Sequence, residues 1–248
     1  MKESQIIYGV RPVVEALRSG KEIEKVLIQS SLQGNLLQEV KEEISKRKTV
    51  VQYVPIEKLN RMTKNNHQGV VAIMSLIEYF DFEEVVMQTI EKGSTPFLIM
   101  LDRVTDVRNL GAIARSAECA GVDAIIVPQY SSAQINEDAI KTSSGALLRL
   151  PICKVANLKT TINTAKQLGV SVFCATEKGS ELYTQVSMKE SLMIVMGSED
   201  TGVSPDIIKI CDNRIKIPIK ANIESLNVSV AAGILMYEVV RQRDLINQ

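Results

Sequence analysis

From Phe97 onward, short uninterrupted apolar runs alternate with stretches whose apolar positions fall three and four residues apart. The runs "FLIMLD", "AIIVP", "ICKV", "VSVFCAT", "LMIVMG" and "RIKIPI" predict strands, and "NLGAIARSAECAG", "NLKTTINTAKQLG" and "PDIIKICD" predict helices between them. Strands with so little polar alternation are buried on both faces, which implies a parallel sheet covered by helices. Earlier in the chain "EKVLIQ", "VVQYV" and "GVVAIMSL" also predict strands, separated by helical stretches. The clearest of these helices carries Leu36, Leu37, Val40 and Ile44 on one stripe. Residues 77–96 are acidic and end in Gly, Ser and Pro, as a connecting segment does. The pattern thus predicts an α/β protein with a small domain at 1–76, a linker at 77–96 and a larger domain at 97–248.

The end of the chain departs from this regularity. A strand, Ile215 to Ile219, and a final helix with Val228, Ala231, Leu235 and Val239 on its buried face enclose "KAN" and the polar side chains Ser225, Asn227 and Ser229. One helix cap, from Ser225 or Asn227, does not account for so many hydrogen-bonding groups.

Composition narrows the possibilities. With 248 residues and 45% apolar content the chain can build packed cores. Formal net charge is zero, so basic surface is local. Residues 1–76 hold 12 Lys/Arg against 8 Asp/Glu, including "KRK" at 46–48, Arg61 and Lys64, an excess compatible with phosphate contacts. Cys119, Cys153, Cys174 and Cys211 lie far apart, and the single histidine, His67 in "NNHQGVV", reads as a turn residue. No metal site is expected, and reduced, mostly buried thiols suit the cytoplasm. No run reaches the roughly 20 apolar residues of a membrane helix, so no membrane partner is expected.

In an open parallel sheet ligands bind beyond the carboxyl ends of the strands. No G-x-G-x-x-G follows a predicted strand. "GSEDTGVS" has the spacing of a phosphate loop, but Val203 replaces the lysine, and Glu199 and Asp200 would repel phosphates. An adenosine ligand without a phosphate chain is compatible with such a loop. In "LDRVTDVRNLGAIARSA", Asn109 is placed to cap a helix beginning at Leu110, Gly111, Ala112 and Ala114 permit close approach of a neighbour or ligand, and Arg115 follows.

Together, "LDRVTDVRNLGAIARSAECAG", "IVMGSEDTGVS" and "IPIKANIESLNVSVAAGILMYEV" resemble the three ordered motifs of the SpoU family of RNA 2′-O-ribose methyltransferases, in the SPOUT superfamily. "IYGVRPVVEAL" and "NHQGVVAI" resemble that family's small substrate-binding domain, itself similar to ribosomal protein L30e. The resemblance implies a C-terminal α/β domain with a trefoil knot, working as a homodimer, and S-adenosylmethionine as methyl donor. It implies cofactor contacts from Thr176, Gly197, Ile217, Leu226, Asn227 and Ser229. Arg115 would hold the central catalytic role, helped by Asn109, Glu199, Ser225 and Asn227. It points to ribosomal RNA, a guanosine of the large subunit (23S), ahead of transfer RNA or a non-catalytic RNA-binding module of the same fold. Where relatives often have proline, basic residues and glutamate, this chain has Val107, Gln129 with Tyr130, and Leu148.

Overall fold

A computed structural model describes residues 6–47, 49–220 and 225–244, with the side chains of Asn35 and Leu36 excepted. The side chain of Leu36, Lys48 of "KRK", and Ala221 and Asn222 of "KAN" therefore lie outside the description. The chain divides into two compact units, one ending at Glu78 and the other beginning at Tyr79.

The first unit runs β1 (Ile6–Tyr8), α1 (Val10–Arg18), β2 (Ile23–Gln29), α2 (Asn35–Arg47), β3 (Val51–Val54), α3 (Ile56–Met62) and β4 (Val70–Met74). Its sheet has the order β1-β4-β2-β3, with β4 antiparallel to β1 and β2, and β2 parallel to β3. Successive strand residues point to opposite faces, and both faces are covered. Val26, Ile28, Val70 and Ala72 pack with Val13, Leu17 and Val40, whereas Leu27, Val54 and Val71 pack with Leu59. His67 is buried; its Nδ1 accepts from Gly69 N–H at 3.0 Å, so its Nε2 carries the proton donated to Asn60 Oδ1 at 2.8 Å. Both ring nitrogens are engaged in closing the turn into β4.

The second unit opens with a surprise for the pattern reading. The stretch expected as a linker carries α4 (Phe82–Glu91), capped by Asp81, whose carboxylate accepts from Glu83 N at 2.9 Å and Glu84 N at 3.1 Å. Phe82 and Val86, one turn apart, are buried in the main core, so the acidic face alone gave the segment its linker-like composition. There follow β5 (Phe97–Leu101), α5 (Val107–Cys119), β6 (Ala124–Pro128), α6 (Glu137–Thr142), β7 (Ile152–Val155), α7 (Leu158–Gln167), β8 (Ser171–Ala175), β9 (Glu181–Leu182), β10 (Leu192–Met196), α8 (Pro205–Ile210), β11 (Asn213–Lys216) and α9 (Val228–Asp244).

These strands form a parallel sheet of order β7-β6-β5-β10-β8-β11-β9. All five residues of β5 and of β10 are buried, as their unbroken apolar sequence demands. The sheet order reverses between β5 and β10. Helices α5 and α9 pack together. The buried stripe of α9 is Val228, Ala232, Leu235, Met236 and Val239; Ala231 is only half-buried, one position off the expected line.

Cys153 and Cys174 are buried, Cys211 is half-buried and Cys119 exposed, all as free thiols. Burial, with the charge of Asp81, pushes the Cys153 thiol up to about 12. Among the described residues no helix is long and apolar enough to cross a membrane, and no group of His, Cys, Asp and Glu is arranged to hold a metal.

Candidate active site

Because the strands are parallel, the loops leaving β5, β8 and β10 share one edge of the sheet. The loop after β10 is a tight turn: Ser198 and Gly202 pair through N–H···O bonds of 3.2 and 2.9 Å. A Cβ on Gly197 would lie 2.0 Å from the carbonyl carbon of Gly202, so glycine alone fits there. This turn, the loop after β8 and the chain on either side of the α9 start enclose a pocket of about 410 Å³. Ile217, Leu226 and Val228 give it apolar wall, and Thr176, Glu177, Glu199 and Ser225 give it polar wall. Size and mixed lining suit a small organic molecule. The carboxylates of Glu177 and Glu199 suit a cationic group rather than a phosphate chain.

Asn227 joins the start of α9 to the first turn of α5 and the loop after β10. Its Oδ1 accepts from Ser229 N at 2.9 Å and Val230 N at 3.4 Å, which makes it the cap of α9. Its Nδ2 donates to Asn109 Oδ1 at 3.0 Å and Glu199 Oε1 at 2.5 Å. One amide thus caps the start of a helix and ties together residues 118 and 28 positions away. Asn109 is buried in the first turn of α5 and is not its cap; that role belongs to Asp106, which accepts from Arg108 N and Asn109 N at 2.8 Å each. Asn109 therefore keeps its side chain for Asn227. Val107 is the first helical residue, a position that also accommodates the proline of relatives, and the Asp106 cap fixes the helix start without it. Gly111 makes its close approach to α6: a Cβ there would be 2.7 Å from the Thr142 Cβ and 2.8 Å from the Ala139 carbonyl.

Of the residues singled out by sequence, Thr176, Gly197, Glu199, Ile217, Ser225 and Leu226 line the pocket, and Asn109 and Asn227 stand together at its edge. Ser229 donates its hydroxyl to Asn227 Oδ1 at 2.6 Å, a supporting position at the helix start rather than in the pocket lining. Arg115 is exposed, has no hydrogen bond or ion pair among the described residues, and is not part of the lining. It lies six residues beyond Asn109, about 9 Å along the helix and about 120° around it. Pattern reading overlooked Glu177, and it overlooked Arg103, whose bonds reach residues nearly 100 positions away.

A profile of the SpoU rRNA Methylase family matches residues 96–237, and one for RNA 2′-O ribose methyltransferase substrate binding matches residues 6–80. The chain belongs to the SpoU methylase family. A relative from Staphylococcus aureus named for the TrmH family of tRNA/rRNA methyltransferases is 37% identical over 241 residues, 97% of each chain. One from Staphylococcus saprophyticus with the same naming is 36% identical over 244 residues, 98% of each chain. Among solved structures, the AdoMet-bound rRNA methyltransferase of Sinorhizobium meliloti is 25% identical with a TM-score of 0.59, covering 96% of this chain and 88% of its own. The SpoU methyltransferase AviRb of Streptomyces viridochromogenes, in complex with the cofactor AdoMet, shares the fold at 22% identity and a TM-score of 0.61, over 96% of this chain and 90% of its own. As a SpoU methylase, this chain is an RNA 2′-O-ribose methyltransferase acting on transfer or ribosomal RNA.

Proposed function

We propose that this chain methylates a ribose 2′-hydroxyl of ribosomal RNA, a guanosine of the large subunit, with S-adenosylmethionine bound in the pocket closed by Gly197 and Leu226. The observation that carries the reading is the meeting of Asn109, Glu199 and Asn227 beside that pocket. The pocket fits the donor: apolar wall for an adenosine, backbone brought close at Gly197, and carboxylates for the cationic end. Bound there, the donor supplies an activated methyl, so the protein's task is to position the ribose in line and help the hydroxyl lose its proton. Ser225 and Asn227, at the pocket and its edge, orient the ribose. Arg115, exposed and without a hydrogen bond or ion pair among the described residues, grips the adjacent phosphate with its planar guanidinium and stabilises the developing alkoxide.

The site is completed in a cytoplasmic homodimer. Val230, Ile234 and Tyr237 fall on one line of α9, with Val230 and Tyr237 about half exposed at 51% and 52%, an apolar stripe suited to a second copy. Packing there brings Arg115, on the adjoining α5, to the margin of the pockets. The family's trefoil knot we assign to the C-terminal part of the large unit. Ribosomal rather than transfer RNA is favoured by the small unit: the Sinorhizobium meliloti rRNA enzyme covers 96% of this chain, whereas a TrmH/SpoU tRNA modifying enzyme from A. aeolicus covers 66%.

The test is methyl transfer from labelled S-adenosylmethionine to ribosomal and transfer RNA, followed by mapping of the modified ribose. Label in a large-subunit guanosine is expected; label in transfer RNA alone, or none, would overturn the target or the activity. Arg115→Lys keeps the charge and loses the fork, and is expected to lower kcat about 100-fold.

A further inference from the structure

Arg103, the second residue after β5, has φ +59°, a left-handed conformation uncommon for any residue other than glycine. Such a backbone persists only where other contacts hold it. Here the guanidinium makes them: Nε donates to Asp102 Oδ1 at 3.2 Å, Nη1 to Thr201 Oγ1 at 3.0 Å and Nη2 to the Gly202 carbonyl at 3.0 Å. Its neighbour Asp102, itself buried, accepts from Ser204 N at 2.6 Å and from the Ser204 hydroxyl. Thr201 Oγ1 lies 2.9 Å from Ser198 Oγ, within the same turn.

The pair Asp102–Arg103 therefore holds the second half of the turn 198–204, at Thr201, Gly202 and Ser204. That turn contains Glu199, which contacts Asn227, and Gly202, against which Gly197 is pressed. The donors are fixed by chemistry, since arginine offers a planar fork and no acceptor, while Thr201 and Gly202 present oxygens. We infer that Arg103 is a positioning residue: it acts through the loop after β10 to set the wall of the donor pocket and the place of Glu199, touching neither donor nor RNA itself. The inference rests on the proposed methyl-donor site.

The test is calorimetric affinity for S-adenosylmethionine in the full chain, first for the unaltered protein, whose failure to bind would remove the underlying reading rather than this one. Arg103→Gly relieves the backbone and removes the strap, so thermal stability is expected to hold while affinity falls about tenfold. Arg103→Lys offers a point donor that cannot bridge both oxygens, and should fall between. Thr201→Val cuts the far end of the strap; it should weaken binding severalfold alone and add little in the Arg103→Gly background. Unchanged affinity in Arg103→Gly, or strictly additive effects in the double variant, would overturn the inference. If Arg103→Gly does not fold, Thr201→Val alone decides: unchanged affinity there overturns it.

Discussion

Each unit contains a knot of polar side chains at the end of its sheet, and the two are built for opposite ends. Around β4 of the small unit, buried His67 bonds Asn60 and the backbone of Gly69, and both ring nitrogens are satisfied within the unit. In the large unit, Asn227 is exposed, stands beside a pocket, and bonds side chains from the first turn of α5 and the loop after β10. Residue type does not separate them, since each contains a side-chain amide bonded to a neighbour. What separates them is what lies beside them: in the first cluster both imidazole nitrogens are spent inside the unit, and the second stands beside a pocket formed by the loops after β8 and β10 and the start of α9.

Gly197→Ala should do the most damage. With backbone 2.0 Å from the new Cβ, the turn must move, at a cost of about 3 kcal/mol, and binding of S-adenosylmethionine should disappear in calorimetry. Next comes Asn227, where two substitutions separate its two jobs. Asn227→Asp keeps an oxygen for the helix cap, so the melting temperature should stay near that of the parent, while methyl transfer falls about 100-fold for want of the Nδ2 donor and from a second carboxylate beside Glu199. Asn227→Ala should lose that activity and also about 1 kcal/mol of stability with the cap. His67→Ala should be the mildest for function: it strands the Gly69 N–H and destabilises the small unit by about 2 kcal/mol in denaturant unfolding, with donor affinity unchanged. If His67→Ala altered donor affinity, or Asn227→Asp left methyl transfer intact, the contrast between the clusters would fail.

The sheet of the large unit was legible because its strands are buried on both faces, and unbroken apolar runs such as "LMIVM" have no other economical reading. Short elements were not: β1, β9 and α6 hold three, two and six residues, too few to show a period. The start of α5 was misplaced because Asp106 and Asn109 are both good caps, and only the bond of Asn109 to Asn227 shows which one is free for other work. The pocket residues were reached through the motif resemblance, since their convergence depends on loops that the sheet order brings together. Arg103 was invisible for a related reason. Its importance lies in a backbone angle and in two partners nearly 100 residues away, neither of which leaves a local mark.

The cap of α9 also sets a direction. With the oxygen of Asn227 claimed by the backbone N–H groups of Ser229 and Val230, its NH₂ end has to face outward, and Asn109 must answer with its oxygen. The hydrogens of Asn109 are thereby turned away from Asn227, so whatever meets them has to bring a lone pair. A polarity that begins in the peptide dipoles of one helix is handed along two side chains, and an incoming group bearing only hydrogens would find the wrong sign.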